Sequence, residues 1–168
     1  MKTQPQTSKA YFNNLTMLHR MLLVVQIAFF AAAYFLTDRS TVSNEELNSL
    51  FTYLIPVLVL AGIAGSNLLF RKQLAKLIET SELKAKLIGY LSSLMIKYAL
   101  LEIPSMLSIV AYFITANYLF LGMAVVVLVV FILDRPSMGK AITDLRLSGI
   151  ERQKVENPNE EIAEVNLR

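Results

Sequence analysis

One carboxylate stands apart from the other acids of this sequence. Glu102 lies in "KYALLEIPSMLSIVAY", residues 97–112, among leucines and isoleucines and two residues before Pro104. A charged group at the centre of a membrane helix costs roughly 2.5–3.5 kcal/mol, so its presence calls for a reason. Three are open. The side chain can bind and release a proton or cation, order its neighbours through hydrogen bonds, or meet a lipid or a partner helix.

A helical projection favours an inward role. With Glu102 at zero and about 100° per residue, Tyr98, Ser105 and Tyr112 fall within roughly 80° on one side. Ser108 and Thr115 extend that arc, whereas Ile103, Met106, Leu107, Val110, Phe113 and Ile114 occupy the other. A polar stripe of this kind is expected to face a bundle interior, a partner or water rather than lipid. Pro104 adds a second polar group, because its ring leaves the carbonyl of Leu100 without a helical donor. A protonated Glu102 could donate to that carbonyl. Glu102, Tyr98 and Ser105 are thus the candidate ion- or proton-binding residues. The competing reading is a structural carboxyl bonded to Gln26, Asn67, a serine or a tyrosine. Lys97 is expected to snorkel towards the nearer interface.

Other chemistries find no footing. Cysteine is absent and His19 is the single histidine, so thiolate and histidine metal centres are not expected, nor is a cofactor. No nucleophile–base pair or phosphate loop appears, so an enzyme is not expected.

The elements that must position Glu102 are long and apolar. Of the 168 residues, 55% are hydrophobic and 17% charged, with a mean hydropathy of +0.51. No charge occurs between Met21 and Leu36, between Leu50 and Phe70, or between Tyr118 and Leu133. A helix needs about 20 apolar residues to cross the hydrocarbon core. The pattern predicts an all-α polytopic membrane protein with four transmembrane helices at about 16–36, 50–70, 98–116 and 118–133. Residues 15–134 would form the membrane domain, preceded by a flexible segment, 1–14. The net charge of +3 follows topology rather than nucleic-acid binding. Lys2, Lys9 and Arg20 precede Met21, and Arg71, Lys72, Lys76, Lys84, Lys86 and Lys97 lie between spans two and three. The loop "TDRSTVSNEELNS" carries only Arg39 against three acids. The positive-inside rule then places both termini in the cytoplasm, in a multi-pass protein of the cell inner membrane.

Span two contains "AGIAGS", in which Ala61 faces Gly65 and Gly62 faces Ser66 four residues on. Such small-residue pairs let helix backbones approach. With Pro104, these residues are the candidate helix-packing positions. Beyond Phe70 the helical period continues through Leu74, Leu77 and Ile78, and resumes at Leu87, Leu91, Leu94 and Met95. A break is expected at Glu79–Ser81, giving a cytoplasmic helical hairpin extension between helices 2 and 3. Residues 135–168 read as an amphipathic helix opened by Pro136, bearing Ile142 and Leu145, then a mobile acidic tail.

Residues 60–114 resemble the proteolipid c-subunit hairpin of rotary ATP synthases. In that family a small-residue helix runs to a polar cytoplasmic loop, and a second helix returns with one essential carboxylate. Here Ala61, Gly62 and Gly65 stand in the first helix, "SEL" at 81–83 in the turn, and "ALLE" ends on Glu102. The loop's Arg-Gln-Pro signature is missing. The whole chain resembles small, uncharacterised four-span inner-membrane proteins of Bacteroidota. The c-subunit resemblance implies a proton- or cation-linked protein. The residues alone also allow a structural or accessory subunit, in contact with the bilayer and with a membrane-protein partner or further copies of itself.

Overall fold

A computed structural model describes residues 2–37 and 45–167. The loop charges Asp38 and Arg39 lie outside them. The described chain is mostly helical, in the order β1 (Lys2–Thr7), α1 (Ser8–Leu36), α2 (Glu45–Ile78), α3 (Leu83–Thr115), α4 (Tyr118–Leu133), α5 (Met138–Asp144), α6 (Gly149–Glu156) and β2 (Glu161–Leu167). Three of these helices, α1, α2 and α3, are long and apolar enough to cross a membrane. A fourth crossing results if α4 and α5 are counted as one broken span.

Two compact units divide the chain, the first made of Met1–Arg20, Leu69–Ile96 and Arg135–Arg168, the second of Met21–Leu68 and Lys97–Asp134. Each of α1, α2 and α3 contributes residues to both.

In the second unit the apolar residues point outward as well as inward. Val24, Val25, Ile27, Phe35, Val57, Leu60, Ile103, Phe113 and Leu133 are all exposed. Helices that are hydrophobic all round belong in a hydrocarbon solvent. The interior face of each helix is narrow. α1 buries Gln26 and Ala33, one heptad apart, and α2 buries Ile55, Val59 and Ser66. α4 buries Phe120, Leu121, Ala124, Val127 and Phe131. Aromatic rings tie these faces together, with Phe51 edge-on to Phe120 at 6.2 Å and Tyr98 tilted on Phe131 at 4.9 Å. The turn from α3 to α4 is tight. Ala116 takes a left-handed φ of 53°. Asn117 caps α4 by accepting from the Leu119 amide at 3.0 Å, and its own amide donates to Asn48 at 2.7 Å.

The first unit contains the α2–α3 hairpin, whose break at 79–82 follows Ile78. Gly89 lies against the Leu77 side chain, where a Cβ would not fit. Phe70 packs near Tyr90, with ring centroids 6.0 Å apart. The residues after α4 fold back onto this hairpin. Lys86 pairs with Glu151 at 2.8 Å, Tyr90 donates to Asp144 at 3.0 Å, and Tyr11 donates to the Leu87 carbonyl at 2.6 Å. Pro136 lies outside α5, and Ser137 is its N-cap, accepting from the Lys140 amide.

Residues 2–7 and 161–167 depart from the loosely ordered segments that their composition suggests. They pair as an antiparallel two-stranded sheet, Lys2 opposite Leu167 and Thr7 opposite Glu161, with an irregularity between Gln6 and Thr7. Apolar burial supports the pairing, because Ile162, Ala163 and Val155 are all within a few per cent of full burial. Ser8, where α1 begins, donates its hydroxyl to the Val155 carbonyl and its amide to that of Glu160.

Candidate functional site around Glu102

α3 has two faces. With Glu102 at zero and about 100° per residue, the buried Tyr98, Leu101, Ser105, Ser108, Ile109 and Tyr112 cover about −20° to −120°. The exposed Ile103, Leu107, Val110, Phe113 and Ile114 cover about 20° to 140°. Glu102 stands at the border between the arcs and is half-buried. It lines an outward-open groove with Ala99, Ile103, Met106 and Leu107, a setting apolar apart from the carboxyl.

The other polar residues of the stripe point inward. Ser108 donates to the Pro104 carbonyl at 2.7 Å, and Thr115 to that of Ala111 at 2.7 Å. Back-bonding of this kind satisfies a hydroxyl inside an apolar bundle. Ser105 is fully buried, and its hydroxyl has no hydrogen-bond partner among the described residues. Tyr98 is buried and donates to the Asp134 backbone carbonyl at 3.2 Å.

Glu102 itself makes no hydrogen bond or ion pair among the described residues. Asn67, one of the partners open to it, instead donates to the Ile63 carbonyl at 3.0 Å. Gln26, another, is fully buried with both ends of its amide unbonded among the described residues. Glu102 therefore does not join the buried network in this conformation, and Tyr98 and Ser105 share its stripe without touching it through a hydrogen bond.

Lys97 differs from the snorkelling expected of it. Its ammonium is 2.7 Å from an Asp134 carboxylate oxygen, with its side chain 8% exposed. The ion pair closes α3 onto the end of α4, beside the Tyr98 hydrogen bond to the same residue. Charges this buried need each other, because either alone would face a large desolvation penalty.

The small residues of α2 divide between two roles. Gly62 is where α2 meets Pro104 and the Leu100 carbonyl, with no space for a Cβ. Ser66, one turn on, is fully buried and donates to the Ile63 carbonyl at 2.9 Å. Ala61 is exposed and Gly65 has nothing within 4 Å of a Cβ position. Ala61 and Gly62 line a shallow groove with Leu100, Ile103 and Pro104.

Asp134, Asp144 and Glu151 were not evident as partners from sequence. A signal existed on α3, where Lys86, Tyr90 and Lys97 recur at four and seven residues and so share a face. Only folding shows which acids answer them. Compared with known proteins, the chain matches no family model, and no curated protein or solved structure matches it.

Proposed function

We propose that this chain is a structural or accessory subunit of a membrane assembly and that the α3 face bearing Glu102 is its assembly contact. It is read as a four-span protein of the cell inner membrane, with the segments before span one and after span four in the cytoplasm. The 16 apolar residues of α4 and the gathering of Lys and Arg on one side support that topology. One observation carries the functional reading. Glu102 has no partner among the described residues, yet it faces outward over an apolar groove. A carboxyl in such a place is satisfied from outside, by a donor on another helix.

The test compares Glu102→Gln with Glu102→Leu in native membranes. A contact that needs a hydrogen-bonding group keeps its complex in Glu102→Gln and loses it in Glu102→Leu, read as particle mass after mild extraction. If the mass is unchanged in Glu102→Leu, the proposal fails. Because the chain has no cysteine, single cysteines placed before span one and after α4 report topology through impermeant thiol reagents.

The same half-buried, unpartnered carboxylate favours a second reading, a reversible proton or cation site, with a c-like ring as its oligomeric form. In that case Glu102→Gln abolishes function while leaving the fold intact. Carbodiimide labels Glu102, and acid or sodium suppresses the labelling. A monomeric particle removes the ring.

A further inference from the structure

In the second unit, Gln26 at both ends of its amide and Ser105 at its hydroxyl have no hydrogen-bond partner among the described residues. Both are fully buried. Interior polar groups are normally hydrogen-bonded, and one left unsatisfied keeps its full desolvation penalty.

The register of α1 against α3 shows what can reach them. Within the second unit, Ala33 and Ile109 line one cleft together with Phe29 and Val110. Two crossings apart along the chain, the two helices run the same way there, and stepping one heptad back from Ala33 and from Ile109 sets Gln26 level with Glu102. Each therefore keeps nearly the same face as the residue two turns above it. Ser105 follows Glu102 by less than one turn, on the buried side.

We propose that Gln26 and Ser105 form an internal polar site that receives the Glu102 carboxyl. Glu102 then has two positions. Outward, it lies over Ile103 and Met106 in the groove. A change of staggered rotamer brings it inward, where the carboxyl accepts from the Gln26 amide N–H and the Ser105 hydroxyl. In its protonated form the carboxyl also donates its O–H to the Gln26 carbonyl, so one group satisfies three. This site is internal to the chain and does not depend on what Glu102 meets outside.

Two measurements test it. In native membranes, Gln26→Cys combined with Glu102→Cys forms an intramolecular disulfide under mild oxidation. Such a bond requires Cα atoms roughly 4.4–6.8 Å apart. Gln26→Cys combined with Leu107→Cys, on the exposed arc, forms none. Absence of the first cross-link, or equal formation of both, overturns the register and the site with it. The second measurement is reversible unfolding in mixed micelles. Gln26→Leu lowers the folded-to-unfolded ratio about 3- to 10-fold in the native chain, the range of interhelical hydrogen bonds in membranes. In a Glu102→Leu background the same change has no effect or is stabilising. A Gln26→Leu variant that is as stable as the native chain, or more so, overturns the proposal. If that variant does not fold, the membrane cross-link still decides.

Discussion

Gly62 and Pro104 meet so closely that a Cβ on the glycine would lie 2.7 Å from the proline Cγ. The same Cβ would lie 2.9 Å from the Leu100 carbonyl oxygen, the one that Pro104 deprives of its helical donor. The two residues act as a matched pair. The proline ring projects from α3, and the glycine provides the surface on α2 flat enough to take it.

Gly62→Ala is therefore expected to cost about 1–3 kcal/mol, the range for forcing an extra methyl into a packed contact. Gly65→Ala, three residues along, meets nothing within 4 Å and should be neutral or stabilising by up to about 1 kcal/mol. Reversible unfolding of the two variants in mixed micelles checks the contrast. Equal effects would remove the special role of Gly62.

The Lys97–Asp134 pair predicts a non-additive outcome. Lys97→Met strands a carboxylate and should cost about 3 kcal/mol. Adding Asp134→Leu should recover most of that loss, since no unpaired charge remains. The Tyr98 hydrogen bond survives both changes because it goes to the Asp134 backbone. A double-mutant cycle measures the coupling, and strict additivity would show that the pair is solvated.

Tyr11 gives the first unit an alkaline limit. Burial holds its phenol well above the ordinary value, keeping the neutral form that donates to Leu87. The folded state retains a proton that the unfolded chain releases above about pH 10. Stability from this group is thus complete below that pH and is lost as the pH rises through the raised folded value. Tyr11→Phe should lose about 1 kcal/mol at neutral pH, the worth of the hydrogen bond. It should also flatten the alkaline decline, which thermal unfolding between pH 8 and about 11 would reveal.

Ala116 holds a left-handed conformation at the α3–α4 turn. Such a residue is strained by roughly 1–2 kcal/mol when it carries a Cβ. Ala116→Gly should relieve part of this and stabilise the second unit by up to about 1 kcal/mol. A loss of stability on the same assay would mean that the turn is held by other contacts.

Long-period features were legible before folding, and non-local pairings were not. The break after Ile78 follows from Glu79, Thr80 and Ser81, which interrupt an apolar period and favour turns. The inward arc of α3 follows from spacing alone, because a rigid helix fixes where every residue points. The placement of Glu102 at the edge of that arc needed the neighbouring helices, since an arc has no border until something packs against it. The strand at 161–167 was hidden for another reason. "EIAEVNL" has alternating apolar residues, but its partner "KTQPQT" is polar and contains Pro5. Neither segment has a strand signature sufficient to name the other across the chain. Gln26 was visible as a lone polar residue, but its level against Glu102 depends on the α1–α3 register.

The pairing of residues 2–7 with 161–167 imposes an order on biosynthesis. Residues 2–7 are held in place by a segment that is translated much later. Loop closure over that span is slow compared with formation of a local helix. The helices α1 to α4 can settle as they are made, while residues 2–7 stay unpaired until translation has reached β2. During that interval their backbone N–H and C=O groups lack the partner strand. A chain stalled before residue 161 would therefore present an unpaired strand to chaperones and proteases as a mark of incompleteness.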